Sequence, residues 1–218
     1  MDLVLFGIQG SGKGTLGKAV ANKYGLVIFE TGGELRKLSA TDSELARKVK
    51  AIVEAGHLVP NEVVMEIVAN FLKNLPEGKN VLFDGIPRKM EQAESFDALM
   101  KQHNRKMLGV LIDVPEEIVM KRLLTRKICE KCKTVYPADY TKDECSAPGK
   151  NGKACNGTLT TRSDDNPESI KTRIKAYYDE TTPVLDHYKN MGKMLTMNGD
   201  MNIEDAEKEI FKLLEGKF

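Results

Sequence analysis

The chain predicts an α/β fold: a five-stranded, mostly parallel sheet with helices on both faces, a three-layer arrangement organised around a P-loop. Three observations carry this. Short apolar runs alternate with amphipathic stretches at helical spacing along most of the 218 residues. The first run, Leu3-Val4-Leu5-Phe6, and the first helical stretch, Leu16 to Lys23, enclose the glycine-rich loop Gly7-Ile8-Gln9-Gly10-Ser11-Gly12-Lys13-Gly14-Thr15. All four cysteines fall in one segment, 127 to 161, whose richness in Lys, Gly and Pro marks it as a small inserted domain.

The elements follow in order. Leu26 to Phe29 is fully apolar and reads as a buried parallel strand. Thr41 with Glu44 predicts a capping box, opening a helix with Leu45, Val49, Ile52 and Val53 on one face and Gly56 at its end. Pro60-Asn61 starts another, striped by Val63, Ile67, Val68, Phe71 and Leu72. Asn80 to Phe83 is the third strand and runs into Asp84-Gly85-Ile86-Pro87-Arg88; Met90 to Gln102 is a helix and Leu108 to Ile112 a strand. Pro115-Glu116-Glu117 opens a helix that ends near Arg126. After the insert, Asn166-Pro167-Glu168 begins a long helix to about Asn190, interrupted near Pro183. Met194 to Thr196 is the last strand, and Ile203, Ala206, Ile210 and Leu214 mark a final amphipathic helix.

Bulk composition narrows the function classes. With 33 basic and 32 acidic side chains, no Trp and few other aromatics, the chain has no general polyanion-binding or base-stacking surface, so nucleic acid is not an expected partner. No apolar run approaches membrane-spanning length and no secretory signal is seen, which predicts a cytoplasmic protein and no membrane partner. No spare apolar surface is visible, and a monomer is expected.

Four groups of residues carry chemistry. Glycines let the loop backbone wrap an anion with its N–H groups inward, the following helix adds its positive end, and Lys13 adds a full charge. Asp84, at the carboxyl end of a strand, sits where ligands bind in open α/β sheets and could hold Mg²⁺ directly or through water. Arg36, Arg88, Arg122, Arg126, Arg162 and Arg173 lie in or beside loops and hinges, and Arg122 and Arg126, four apart, are expected on one helix face; their planar forks match phosphate oxygens. Cys129 and Cys132 form a C-x-x-C knuckle, followed by Cys145 and Cys155. Four thiolates suit tetrahedral Zn²⁺ in a structural role, although the second interval is wide for a knuckle; redox chemistry is the rival, without a thioredoxin-like context.

In their order these motifs resemble the adenylate kinase family, in its long, zinc-bearing bacterial form, over nearly the whole chain. The matching residues are the loop ending Gly-Lys-Gly-Thr, Thr31-Gly32 with Leu35-Arg36, the Asp84 to Arg88 signature with Gln92, the hinge arginines Arg122 and Arg126, and Thr161-Arg162-Ser163-Asp164-Asp165 with Arg173. The resemblance implies Mg²⁺-dependent, reversible transfer of a phosphoryl group from ATP to AMP, giving two ADP. It implies ATP at Gly10, Ser11, Gly12, Lys13, Gly14, Thr15, Arg126, Val135, Tyr136 and Met201. It implies AMP at Thr31, Arg36, His57, Leu58, Val59, Gly85, Ile86, Pro87, Arg88, Gln92, Arg162 and Arg173. Lys13, Arg88, Arg122, Arg162, Arg173 and Asp84 would be catalytic, and Cys129, Cys132, Cys145 and Cys155 would hold structural zinc. The core would be 1–29, 60–126 and 162–218, the helical AMP-binding lobe 30–59 and the lid 127–161. Three positions depart from the family pattern: Gln9 replaces a proline, Gly33 an aspartate and Glu30 a common serine. The last two motivate another acceptor base as the alternative, and all three motivate a catalytically weak nucleotide-binding relative. A nucleotide-binding regulatory module with a zinc ribbon is a further rival, set back by an insert with only Tyr136 and Tyr140 as aromatics.

Overall fold

A computed structural model describes residues 1–136, 140–148, 153–162 and 165–218. Ser163 and Asp164 of the second hinge motif, and residues 149–152 of the interval between Cys145 and Cys155, lie outside the described residues.

In chain order the first elements are β1 (Asp2–Phe6), α1 (Lys13–Tyr24), β2 (Val27–Glu30), α2 (Thr31–Ser39), α3 (Glu44–Glu54) and α4 (Asn61–Lys73). They are followed by β3 (Val81–Asp84), α5 (Met90–Gln102), β4 (Met107–Asp113) and α6 (Glu116–Leu124). The chain ends with α7 (Pro167–Ala176), α8 (Thr182–Asn190), β8 (Met194–Asn198) and α9 (Ile203–Leu213). Five strands form one parallel sheet in the order β2-β3-β1-β4-β8. Every residue of β1 is buried, as its central place requires. Alternation along the strand divides the core in two. Val4 and Phe6 face one layer with Phe29, Phe83 and residues of α4, α5 and α8. Leu3 and Leu5 face the other, with Leu82, Val110 and residues of α1, α6, α7 and α9.

The sequence reading needs adjustment at several elements. β2 is an edge strand rather than a doubly covered one, and Ile28 is 39% exposed. The helix α2, unanticipated, follows it without a loop. The cap of α3 is Ser43, whose hydroxyl accepts from the Ala46 N–H at 3.0 Å; Thr41 instead donates to the Leu38 carbonyl that closes α2. Ser43 wins because α3 begins at Glu44, directly after it, while the Thr41 hydroxyl is engaged at the end of α2. Ile203 is exposed, so only Ala206, Ile210 and Leu214 of the expected stripe are buried. The interruption before Pro183 is a π-helical turn, Tyr177–Thr181, which absorbs one extra residue ahead of the proline that lacks an N–H. His187 is half buried, with Nε2 3.4 Å from Asp97 Oδ2.

The insert carries its own three-stranded antiparallel sheet, β5 (Lys127–Cys129), β6 (Val135–Tyr136) and β7 (Leu159–Thr160), in the order β6-β5-β7. No helix among the described residues is long and apolar enough to cross a membrane.

One ion pair fastens the amino-terminal edge of the sheet. The Asp2 carboxylate, 1% exposed, accepts from Arg105 through Nε and Nη2, both at 2.6 Å, and from the Val81 N–H at 2.8 Å. Removing one member leaves buried partners unsatisfied. Asp2→Ala should therefore lower stability by about 3 kcal/mol, read as a lower urea midpoint with an unchanged denaturant slope.

Candidate active site

The carboxyl ends of β1, β2 and β3 open into a cavity of about 750 Å³. Its floor is the glycine loop. α1 begins at Lys13 behind Gly12, whose φ of 100° no ordinary side chain adopts comfortably. Among the described residues this helix start has neither a side-chain cap nor an acid in its first turn, so its positive end is turned to the cavity. Lys13 Nζ donates back into the loop, to the carbonyls of Gly7 at 2.6 Å and Ile8 at 3.0 Å.

Asp84 ends β3, level with Leu5 of β1 and Glu30 of β2. Its Oδ2 would lie 3.9 Å from a Cβ built on Gly14, which places the carboxylate over the start of α1. Burial raises its pKa, against the pull of Lys13, and nearby Glu30 raises it further. Burial lowers Lys13 to about 8, against the pull of Asp84, with Arg88 and Arg126 adding repulsion. Arg88 is also lowered by burial, partly offset by Asp84. A cavity lined by mutually repelling cations and a disfavoured carboxylate suits anions and could hold a metal ion.

The Asp84–Arg88 loop turns sharply. Gly85 has φ 85°, and a Cβ there would sit 2.7 Å from Arg88 Nη2. Arg88 Nε donates to the Gly85 carbonyl at 2.9 Å, and the Arg88 N–H donates to Gln92 Oε1 at 2.9 Å. With its oxygen thus engaged, buried Gln92 keeps its amide NH₂ to offer. Thr181, set inward by the π-turn, donates to the Arg88 carbonyl at 2.9 Å.

All six expected arginines line this cavity. Arg122, on α6, donates to the Gly199 carbonyl at 3.2 Å; Arg126 lies just past the end of α6 rather than sharing its face. Asp165, 1% exposed, accepts from Arg126 through both oxygens, at 2.6 and 2.8 Å, and stands 3.6 Å from Arg173. Arg36 pairs with Glu30 at 2.8 Å, and Arg162 is close enough to Asp84 to lower its pKa. The remaining expected contacts also open onto the cavity: Gly10, Ser11 and Thr15 at the floor, Thr31, His57, Leu58, Val59, Ile86 and Pro87 on one side, Val135, Tyr136 and Met201 on another. Thr31 Oγ1 is buried with no hydrogen-bond partner among the described residues. Sequence reasoning missed Asp165 as the arginine clamp, Thr181, and the Glu30–Arg36 pair; none has a local spacing signal.

The four cysteines are free thiols with Sγ atoms all within 4.8 Å of one another. The pairs Cys129–Cys155 and Cys132–Cys145 stand at 3.7 and 3.4 Å, near the roughly 3.8 Å edge of a tetrahedron around a metal about 2.3 Å from each sulfur. The described ends of the wide interval are drawn together by backbone pairing: the N–H of Cys155 donates to Ala147, that of Cys145 to Gly157, and Pro148 pairs with Ala154. These residues could hold a metal ion. Gly157 fits against them because a Cβ there would meet Cys129 Sγ at 2.5 Å.

Comparison with known proteins agrees with this geometry. The family model described as adenylate kinase matches residues 5–193. The chain belongs to the adenylate kinase family. It is 37% identical to the adenylate kinase of Kosmotoga olearia, over 99% of both chains. It is 38% identical to that of Archaeoglobus fulgidus, over 99% of this chain and 98% of the other. The adenylate kinase of Staphylococcus epidermidis is 33% identical over 99% of both chains. Family membership thus rests on the whole chain, lid segment included.

The Lys13 pKa gives a test that needs no turnover. A bound phosphate raises it, so binding has its full strength below pH 8 and weakens as pH rises through that value. Calorimetry with inorganic triphosphate should show weaker binding and proton uptake between about pH 7 and 9. Lys13→Arg, whose charge persists, should flatten that dependence.

Proposed function

We propose that this cavity aligns ATP and AMP tail to tail and transfers the γ-phosphoryl group reversibly between them, giving two ADP. The observation that carries the reading is the single cavity shared by the glycine loop, Lys13, Asp84 and all six arginines. The attacking oxygen of AMP is already anionic, so no strong base is needed. What the reaction needs is alignment and charge neutralisation in a site shut to water.

In this reading the loop from Gly10 to Thr15 and the α1 N-terminus hold the β- and γ-phosphates of ATP. Lys13 leaves its own loop carbonyls for the phosphate oxygens. Arg88, Arg122, Arg162 and Arg173 surround the transferring group, and Arg36 and Arg88 hold the AMP phosphate. Arg126, Val135, Tyr136 and Met201 border the ATP nucleoside; Thr31, His57, Leu58, Val59, Gly85, Ile86, Pro87 and Gln92 border AMP. The Asp165 clamp keeps Arg126 and Arg173 extended toward the cavity. Mg²⁺ arriving with ATP spreads the negative charge of its phosphates. Asp84 fits such an ion because burial disfavours its own charge and a cation relieves it. Residues 30–59 act as the AMP-binding lobe, 127–161 as the lid, and 1–29, 60–126 and 162–218 as the core.

Adenine is favoured over another acceptor base by Gln92. Its oxygen is taken by the Arg88 N–H, so it presents donors. Adenine N1 accepts, whereas guanine N1 carries a proton. In the lid, Zn²⁺ in the four-cysteine site would tie together a small sheet with little core of its own. We place the protein in the cytoplasm as a monomer.

A coupled assay of diphosphate formation should find AMP preferred over GMP, CMP and UMP, and Lys13→Ala should lower kcat by about 10²-fold or more while the fold persists. A preference for another base would move the acceptor assignment. Metal analysis should find about one zinc per chain, and chelation should lower Tm; a metal-free protein of equal stability would end the zinc assignment.

A further inference from the structure

Glu30 lines the cavity yet has no part in the arrangement above. It is the last residue of β2, level with Asp84, and directly precedes α2, which carries Arg36. Its Oε1 accepts from Arg36 Nη2 at 2.8 Å. Gly33 leaves room for this. A Cβ built there would already touch the Glu30 carboxyl at 3.5 Å, and a longer side chain would displace it. Arg36 therefore holds an internal anion on the wall where a phosphate is to bind. The pair is half solvated, with Arg36 39% and Glu30 48% exposed. Such pairs are weak, and a phosphate dianion offering two acceptor oxygens competes well for one guanidinium. Glu30 also lies close enough to Asp84 and Arg88 for its charge to be felt at both.

We propose that Glu30 is an affinity-setting residue of the monophosphate subsite: its carboxylate occupies Arg36 until a phosphate dianion displaces it, and then repels that phosphate. The subsite is thereby weakened for phosphate alone and filled by a ligand with further contacts, a nucleoside monophosphate. This rests on the placement of AMP beside Arg36 given above. The pairing also means that Arg36 enters the reaction by exchanging partners, so a change at Glu30 acts first on acceptor binding and reaches the ATP side only weakly, through Asp84.

The test is calorimetry at low ionic strength with AMP, and separately with ATP, on the wild type, Glu30→Gln and Arg36→Ala. Glu30→Gln should bind AMP about three- to tenfold more tightly, with ATP affinity unchanged within about twofold. AMP binding that is unchanged or weaker in Glu30→Gln, while Arg36→Ala weakens it, would overturn the role of Glu30 and leave the AMP placement standing. Unchanged AMP affinity in Arg36→Ala would overturn the placement itself. A raised Mg²⁺ requirement in Glu30→Gln with unaltered AMP affinity would also overturn the proposal, by assigning the carboxylate to the cation.

Discussion

Burial of like charges around the glycine loop is the constraint on which the rest of the structure depends. Lys13 and Arg88 are pushed toward their neutral forms by desolvation and by one another's neighbours, and Asp84 is pushed the same way with opposite sign. A protein tolerates this only if the scaffold is rigid enough to forbid relaxation. The central strand β1, buried along its whole length, and the helices packed on both faces supply that rigidity. The electrostatic strain is the reverse side of function, because an anion entering the cavity relieves Lys13 and Arg88 and a cation beside Asp84 would relieve the carboxylate.

Several arrangements keep the cations from collapsing onto unrelated acceptors. Asp165 ties Arg126 at two points and approaches Arg173. The Gly85 and Gly199 carbonyls accept from Arg88 and Arg122, and Glu30 accepts from Arg36. Each contact engages part of a guanidinium that has five N–H donors, so donors remain for phosphate oxygens. The π-turn belongs to the same scheme: by shifting register it brings Thr181 to the Arg88 carbonyl and fixes the loop that presents both Arg88 and Gln92.

The lid segment solves a different problem. Its strands are two or three residues long, and its buried cluster is made mainly of cysteines and Tyr136. Among the described residues, too little apolar surface is available there to hold a sheet by burial alone. The converging sulfurs, assembled by backbone pairing that brings Cys145 back to Cys155, are the natural remedy. Tyr136 touches both regions, since its hydroxyl reaches Cys145 Sγ at 3.0 Å and its residue lines the nucleotide-sized cavity.

Much of this was legible along the chain because its causes are local. The strand–loop–helix of residues 3 to 23, the strand ending in Asp84, the helix from Met90 to Gln102 and the C-x-x-C knuckle are each written in a few adjacent residues. Which strand lies at the sheet edge, exposing Ile28, depends on the order of pairing and leaves no mark in an apolar run. The choice of Ser43 over Thr41 as a cap turned on where α2 happened to end. Asp165 reaches Arg126 across 39 positions, and Glu30 pairs with Arg36 only because a helix starts between them. Residue types and local spacing therefore determined the elements and the chemistry available to them. Tertiary structure alone decided which charges share one cavity, because that choice is made by strand order and helix packing over distances no sequence motif spans.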